Sequence, residues 1–331
     1  MAPKNKTNDK TLSVNDQSGI ALLIVLWVVV LLLTIALSFS VMARTEIFAT
    51  LTFKEQLENK YLAEAGLQRA IVELFYRAAN ANQQALFAEE KILRTDGTLY
   101  IGELENGFYK FNITDESGKI NINTLTDLSG IVLNNLMVNM GIEKETADTI
   151  VDSILDWKSP TGLHRLHGAD NSYYLSLPNP YKMKNAKFDT LEELLLVKGV
   201  TPDILYGNGE RPGVIRFLTI YGNVGNININ AAAPEVLRAI PFISADGVEK
   251  IIAVRSAENT AATALQTMLG GGDGAKMSPF ISVSDSNTFA IEVSGYRGNE
   301  KGNYQLRAIV SIEGNGNYTV LSYQSPADIK Q

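Results

Sequence analysis

The chain has 331 residues, and its lack of cysteine excludes a disulfide framework. A net charge of −7 argues against nucleic acid as the main partner, and 45% hydrophobic residues leave ample material for a sizeable core or two subdomains. The first element in chain order is the most informative. Ile20 to Ala43 are 24 consecutive uncharged, mostly apolar residues that begin abruptly after Ser18-Gly19. As a helix this run is about 36 Å long, enough to cross a hydrocarbon core of roughly 30 Å with some tilt. It exceeds the apolar core of an ordinary secretory signal, although Ser38-x-Ser40 keeps a cleaved signal as an alternative. The polar leader before it carries Lys4, Lys6 and Lys10 against Asp9 and Asp16, which favours a cytoplasmic N-terminus and an exported C-terminal bulk.

No proline occurs between Pro3 and Pro160, and Thr45 to Ala81 is rich in strong helix formers. Ala63, Leu67, Ile71, Leu74 and Ala78 fall on one helical face, so the C-terminal part of this rod should pack on a globular domain. Thr98 to Thr114 reads as short strands broken by Gly102 and Gly107. Thr288 to Gln324 reads as further strands, in which Phe289, Ile291 and Val293 alternate, as do Leu306, Ala308, Val310 and Ile312. Asn315-Gly316 marks a hairpin between Ile312 and Tyr318. The sequence between the strand groups is helical and punctuated, and reads as an insertion into a small antiparallel sheet.

That insertion contains a self-similar pair. Ile120-Asn-Ile-Asn-Thr124 precedes an apolar-periodic helix and then Ala147 to Leu155; Ile227-Asn-Ile-Asn-Ala231 precedes Pro234 to Ile240 and then Val248 to Val254. Leu191 to Gly199 adds a third helix with a glycine stop. The second copy reads as a degenerate helix-hairpin-helix unit. Its turn Pro241-Phe-Ile-Ser-Ala245, and the related Lys198-Gly-Val-Thr201, lack the paired glycines with which such turns offer backbone N–H groups to a phosphate.

Catalytic signals are weak. His164 and His167 lie in a Pro/Gly/Asn-rich loop near Asp170 with no evident third ligand, so structural histidines are the better reading than a zinc site. Leu269 to Lys276 resembles a phosphate loop but lacks Gly-Lys-Ser/Thr, and no serine sits in a nucleophile elbow. The chain reads as a non-enzyme.

A short leader ending in Gly, an apolar helix running into an amphipathic one, and a β-rich domain together resemble the type IV pilin and pseudopilin plan. The sequence is more specifically similar to the K-type minor pseudopilins of type II secretion, over nearly its whole length. The motifs that carry this are Gly19-Ile-Ala-Leu-Leu-Ile-Val-Leu-Trp27, Tyr61-Leu-Ala-Glu-Ala-Gly66, Thr114-Asp-Glu-Ser-Gly-Lys-Ile-Asn-Ile-Asn-Thr124, and Leu163-His-Arg-Leu-His-Gly-Ala169 with Tyr173-Tyr174. Thr190-Leu-Glu-Glu-Leu-Leu-Leu-Val-Lys-Gly-Val200 and Asn228-Ile-Asn-Ala-Ala-Ala-Pro-Glu-Val-Leu237 complete the set. Each is weak alone; their order and spacing are specific.

The resemblance implies cleavage by a prepilin peptidase after Gly19, leaving Ile20 as the new N-terminus. Most pilins and pseudopilins carry Glu at the fifth mature residue, thought to meet the terminal amine of a neighbouring subunit. The K-type branch characteristically lacks it, and Ile24 stands at that position here. The implied fold is α+β: a pilin-like transmembrane and rod helix on a small antiparallel sheet, with a large inserted helical domain bearing helix-hairpin-helix-like units. The expected segments are a cytoplasmic leader at 1–19, a transmembrane helix at 20–43 and a periplasmic rod at 44–81. The sheet domain is expected at 82–124 and 285–325, and the insertion at 125–284.

The implied function is that of a minor pseudopilin at the tip of the secretion pseudopilus, anchored in the inner membrane with its bulk in the periplasm. Expected partners are the I-, J- and H-type minor pseudopilins, the major G-type pseudopilin and the prepilin peptidase. The alternatives are a minor pilin of a type IV pilus and a membrane-tethered DNA-uptake receptor. K-type relatives bind calcium in the inserted region, which makes Asp148, Asp152, Asp156 and Asp170 the candidate ligands. A solvated helix face is the favoured reading of the first three, which lie at i, i+4 and i+8, because helices rarely wrap the six to eight oxygens that calcium takes. Trp157-Lys-Ser-Pro-Thr161 also stands where relatives tend to be acidic.

Overall fold

The computed structural model describes residues 16–80, 93–160, 164–256, 272–298 and 302–327. The leader through residue 15, residues 82–92 of the expected sheet segment, Leu163, and 269–271 of the glycine-rich stretch lie outside the described residues. The chain divides into two units, Met1–Glu58 and Asn59–Gln331. Helix α1 (Asp16–Ala79) begins in the first and ends in the second.

Five antiparallel strands form the sheet of the second unit: β1 (Asp96–Leu104) and β2 (Gly107–Asp115), then, far along the chain, β7 (Thr288–Tyr296), β8 (Tyr304–Ile312) and β9 (Tyr318–Gln324), in spatial order β1-β2-β7-β8-β9. Their register stacks the apolar positions in rows across the sheet. Phe111 lies opposite Val293 and Val293 opposite Leu306, while Ile113 lies opposite Ile291 and Ile291 opposite Ala308. These rows meet the helical stripe Ala63, Leu67, Ala70, Ile71 and Leu74 in one buried cluster. Small residues let the helix approach closely. A Cβ on Gly295 would lie 2.3 Å from the Asn59 carbonyl oxygen and 2.4 Å from the Ala63 nitrogen, so no side chain fits between strand and helix there.

Gly102 does not break the first strand, contrary to the sequence expectation. It lies opposite Tyr109, and the space that its Cβ would take is filled by the tyrosine ring. The expected hairpin forms between β8 and β9, closed by Glu313 N–H donating to the Asn317 carbonyl at 2.8 Å, with Gly316 at φ +80.

Between β2 and β7 the chain builds a second core. It contains β3 (Ile120–Asn121), α2 (Gly130–Asn139), α3 (Lys144–Trp157), α4 (Asn171–Leu175), a 3₁₀ turn at Leu191–Leu196, α5 (Pro202–Tyr206), β4 (Leu218–Thr219), β5 (Ile227–Asn228), α6 (Pro234–Ala239), α7 (Ala245–Ser256), α8 (Gly272–Met277) and β6 (Ile281–Ser282). The stretch expected as a third helix at Leu191 is thus a 3₁₀ turn. Trp157 is buried at its centre, ringed by Tyr174, Tyr181 and Phe188 with ring centroids 5.2–6.5 Å away. The two units described by the sequence pair pack on each other chiefly through α2 and α6.

The Asn-rich strand ends explain that self-similarity. β3 pairs in parallel with β4, and β5 with β6. In each copy the first Asn side chain accepts the N–H two residues on: Asn121 from Asn123 at 2.9 Å, Asn228 from Asn230 at 3.0 Å. Each then ties distant chain together. Asn121 donates to the Tyr221 and Gly222 carbonyls, Asn123 to Phe188 and Ile220, and Asn230 to Val283. Asn228 reaches Asp115 at 3.1 Å. Asp115 is fully buried and also accepts from Ser117 N–H and Oγ and from Ser286 N–H and Oγ, at 2.6–2.8 Å. Five donors thus hold one carboxylate where sheet and insertion join. Beside it Arg77 of α1 donates to Asp285 at 2.6 Å and to the Leu93 carbonyl at 3.0 Å.

Candidate assembly interface

From Ile20 to Val41 the large apolar side chains of α1 are all exposed; Ile24 is 56% and Trp27 68% accessible. The best window of this stretch has a mean hydropathy of 3.3, and none of it is buried among the described residues. Its one polar side chain near the middle, Thr34, returns its hydroxyl to the Leu31 carbonyl at 2.7 Å, so the helix carries no unpaired hydroxyl there. A surface of this kind needs lipid or other apolar helices around it. Gly19 lies at its start with nothing within 4 Å of the position a Cβ would take.

The sheet contributes a second uncovered surface. Edge strand β9 exposes Tyr318, Val320, Leu321 and Tyr323, and the opposite edge, β1, exposes Leu99, Ile101 and Leu104. Such edges invite pairing with another chain unless something covers them.

In the insertion, three helix-to-helix turns share one construction: a residue at positive φ, an apolar residue turned to the core, then the residue that starts the next helix. They are Gly141-Ile142-Glu143, Gly199-Val200-Thr201 and Phe242-Ile243-Ser244, with φ of 83, 86 and 69 at the first position. The sequence reading found the second and third and missed the first. The lone glycine at 141 was the available signal, masked by the acidic Glu143 that follows. Thr201 Oγ1 accepts Ile204 N–H at 3.3 Å and Ser244 Oγ accepts Gly247 N–H at 3.1 Å. At the first turn Glu143 places an acid where a phosphate would need to approach. These turns therefore use, or repel from, the N–H groups with which a nucleic-acid backbone would be held.

The acidic residues singled out by the sequence each have a partner in the chain, and they do not converge. Asp148 pairs with Lys144 and accepts from Asn134 at 2.7 Å; the Lys144 hydrogen bond, chiefly, holds its carboxyl below the usual range. Asp152 accepts the His167 N–H at 3.1 Å. Asp156, buried, takes Arg165 N–H at 3.0 Å and the Arg165 guanidinium at 2.8 Å. Asp170 caps α4 through Ser172 and Tyr173 N–H, and the Ser172 hydroxyl is the main cause of its lowered pKa. Among the described residues no three His, Asp or Glu side chains are grouped to hold a metal. His164 Nδ1 stands 3.7 Å from Asp170, whereas His167 engages through its backbone.

Lys158, which caps the C-terminus of α3, donates to the Leu125, Ile122 and Asn123 carbonyls at 2.5, 2.9 and 3.4 Å. Burial, then the nearby Arg165 and Lys187, draws its pKa down to about 8, and the carbonyl acceptors favour the charged form that it keeps at neutral pH. A cleft of about 770 Å³ lies where Glu292 and Arg307 of the sheet face Ala231–Ala233 and Leu218–Tyr221; no histidine lines it, and its charges are mixed.

Residues 118–206 match the family model described as type II secretion system protein K. The putative type II secretion system protein K of Escherichia coli K12 is 27% identical over 197 residues, and the type II secretion system protein K of Pectobacterium carotovorum is 26% identical over 197. Each match takes in 57% of this chain and 60% of the relative, so the chain spans under two thirds of their length in these matches. The fold is that of a chain in the GspK-GspI-GspJ complex of the enterotoxigenic E. coli type 2 secretion system, at 16% identity and a TM-score of 0.53, covering 80% of this chain and 99% of that one. These matches bear out the resemblance to the K-type family and the α+β pseudopilin-like fold read from the sequence. The family is a structural component of a secretion machine.

Proposed function

We propose that this protein is a minor pseudopilin of a type II secretion system, that it acts at the tip of the pseudopilus, and that it supports export of folded proteins by assembling rather than by catalysis. The exposed apolar helix from Ile20 to Ala43, joined in one chain to a protein K domain, carries this reading. The helix serves as a single-pass inner-membrane anchor with the leader in the cytoplasm and residues from 44 onward in the periplasm. A prepilin peptidase removes residues 1–19 by cutting between Gly19 and Ile20. The sheet strands and the insertion between them form the periplasmic body, and the insertion supplies bulk at the filament end.

Ile24 supports the tip assignment. A subunit with nothing above it has no terminal amine to receive, and a carboxylate there would be costly in lipid unless paired. The partners in this reading are the I- and J-type minor pseudopilins, as in the complex of the structural relative, followed by the H-type and the major G-type subunits. The uncovered edges β1 and β9 suit such contacts.

Co-purification from cells that also make the I- and J-type subunits tests the proposal. Recovery of all three in one complex is expected, and recovery of the full chain alone from membranes would overturn it. Gly19→Val tests the leader: the variant should stay a full-length precursor, since a side chain at the scissile glycine crowds the peptidase. N-terminal sequencing that finds Ile20 first in that variant would sink the cleavage assignment.

A further inference from the structure

Three backbone carbonyls, from Ile122, Asn123 and Leu125, point at one spot within a single turn after β3. Hard oxygens gathered in this way resemble the seat of a cation such as calcium. Here the spot is taken by the Lys158 ammonium. The neighbouring carboxylates are likewise satisfied from within the chain. Arg165 donates to both oxygens of Asp127, at 2.6 and 3.2 Å, and to buried Asp156 at 2.8 Å, while Asp152 accepts His167 N–H. The residues present therefore do not fit a divalent ion. It would have to displace a tethered ammonium and a tethered guanidinium, each held at high effective concentration, and meet their positive charge at close range.

We infer that Lys158 and Arg165 are built-in cations that do the structural work of a bound divalent ion at the junction of α3 with the 122–127 turn, so that the insertion folds without calcium. Lys158 is itself the C-cap residue of α3, and its ammonium is held by the carbonyls of the turn after β3, so one residue ties the end of α3 to the strand pair β3–β4. The inference concerns this chain's own fold and stands whether or not the protein acts at a filament tip.

The test is thermal unfolding of the full chain in detergent at neutral pH, with calcium chloride or with a calcium chelator. Wild type should show the same midpoint in both; a midpoint lowered by the chelator overturns the inference. Lys158→Met, which removes the charge without adding a ligand, should unfold at a lower temperature than wild type by the same margin in both conditions. If it is as stable as wild type, the ammonium holds nothing and the inference fails. Lys158→Asp combined with Arg165→Gln removes both cations and leaves the carbonyls and carboxylates, and calcium chloride should raise the midpoint of this double variant by several degrees, as expected of a ligand that binds only the folded state. A folded double variant that ignores calcium would show that the carbonyl turn is no cation seat, which also overturns the inference. Should that variant fail to fold, the other two still decide.

Discussion

Residues 16–58 and residues 59–331 treat apolar surface in opposite ways. In the first unit, Ile20 through Val41 expose their large apolar side chains, uncovered among the described residues. In the second, Leu67, Ile71 and Leu74 of the same helix are buried against Phe111, Ile291, Val293 and Leu306. Both stretches are helical and rich in aliphatic residues, so propensity does not separate them. What separates them is whether the covering surface lies within the chain. The first unit has to be completed by lipid or by other subunits; the second covers its two cores from within and leaves the β1 and β9 edges uncovered. Substitutions in the two cores of the second unit should therefore be read as stability of the isolated protein, and those on the exposed apolar surface of 16–58 as contacts with whatever surrounds it.

The largest effect should come from Gly295→Val, which breaks the internally covered side of this contrast. Its side chain would press on the backbone of α1 at Asn59 and Ala63, where no rotamer change gives relief. We expect a loss of about 3 kcal/mol or more, read as a lowered urea midpoint. An unchanged midpoint would mean that helix and strand do not approach as closely as described. Ile24→Glu tests the other side. An ionised carboxylate there costs roughly 2.5–3.5 kcal/mol near a membrane centre, and less toward the interface. Expected outcomes are an unchanged urea midpoint for the second unit and weakened assembly. If the variant spread along the pseudopilus with secretion intact, the tip reading of Ile24 would be wrong.

Asp115→Asn should follow, at about 2 kcal/mol, because it replaces a charged acceptor of five hydrogen bonds and turns an amide NH₂ toward donors. The loss should appear as a lowered midpoint. A midpoint equal to wild type would show that this junction is not what joins sheet and insertion.

How much of this was legible in the sequence depends on range. The apolar run, the alternating strands of the sheet and the Asn-Gly hairpin are local signals, and each is present in the fold. The two Ile-Asn-Ile-Asn stretches were visible as a repeat, but their function was not. Asn123 acts through Phe188 and Ile220, and Asn228 through Asp115, partners that no local pattern brings together. Gly102 misled because a glycine in a strand usually signals a break, and only the register shows that Tyr109 fills its place. The acidic spacing on α3 was real as spacing. It could not reveal that Arg165 and His167, from a loop further on, supply the donors for Asp156 and Asp152. Lys158 looked like a break in an acidic pattern, and its meaning depends on three carbonyls more than thirty residues earlier in the chain.

The smallest effect expected sharpens the contrast from inside the second unit. Asp127 and Asp156 share Arg165, but the Asp127 side chain is 77% exposed and that of Asp156 only 1%. The hydrogen bond from Arg165 is the largest cause holding the Asp127 carboxyl below its usual 3.8. Because the folded chain then ionises Asp127 more readily than the unfolded chain does, its contribution is complete above about pH 3.8 and is lost as acid takes the pH down through the lower folded value. Water screens so exposed a pair, and the contribution should stay under about 1 kcal/mol. Asp127→Asn should therefore lower the unfolding midpoint slightly at neutral pH, and the gap from wild type should close toward pH 2. Asp156→Asn should open a larger gap at neutral pH, because it strips a charged acceptor from a site that water does not reach. If the two substitutions cost the same at neutral pH, burial is not what ranks the two halves of this ion pair. The stability of the second unit would then owe less to its buried polar contacts than the comparison with residues 16–58 implies.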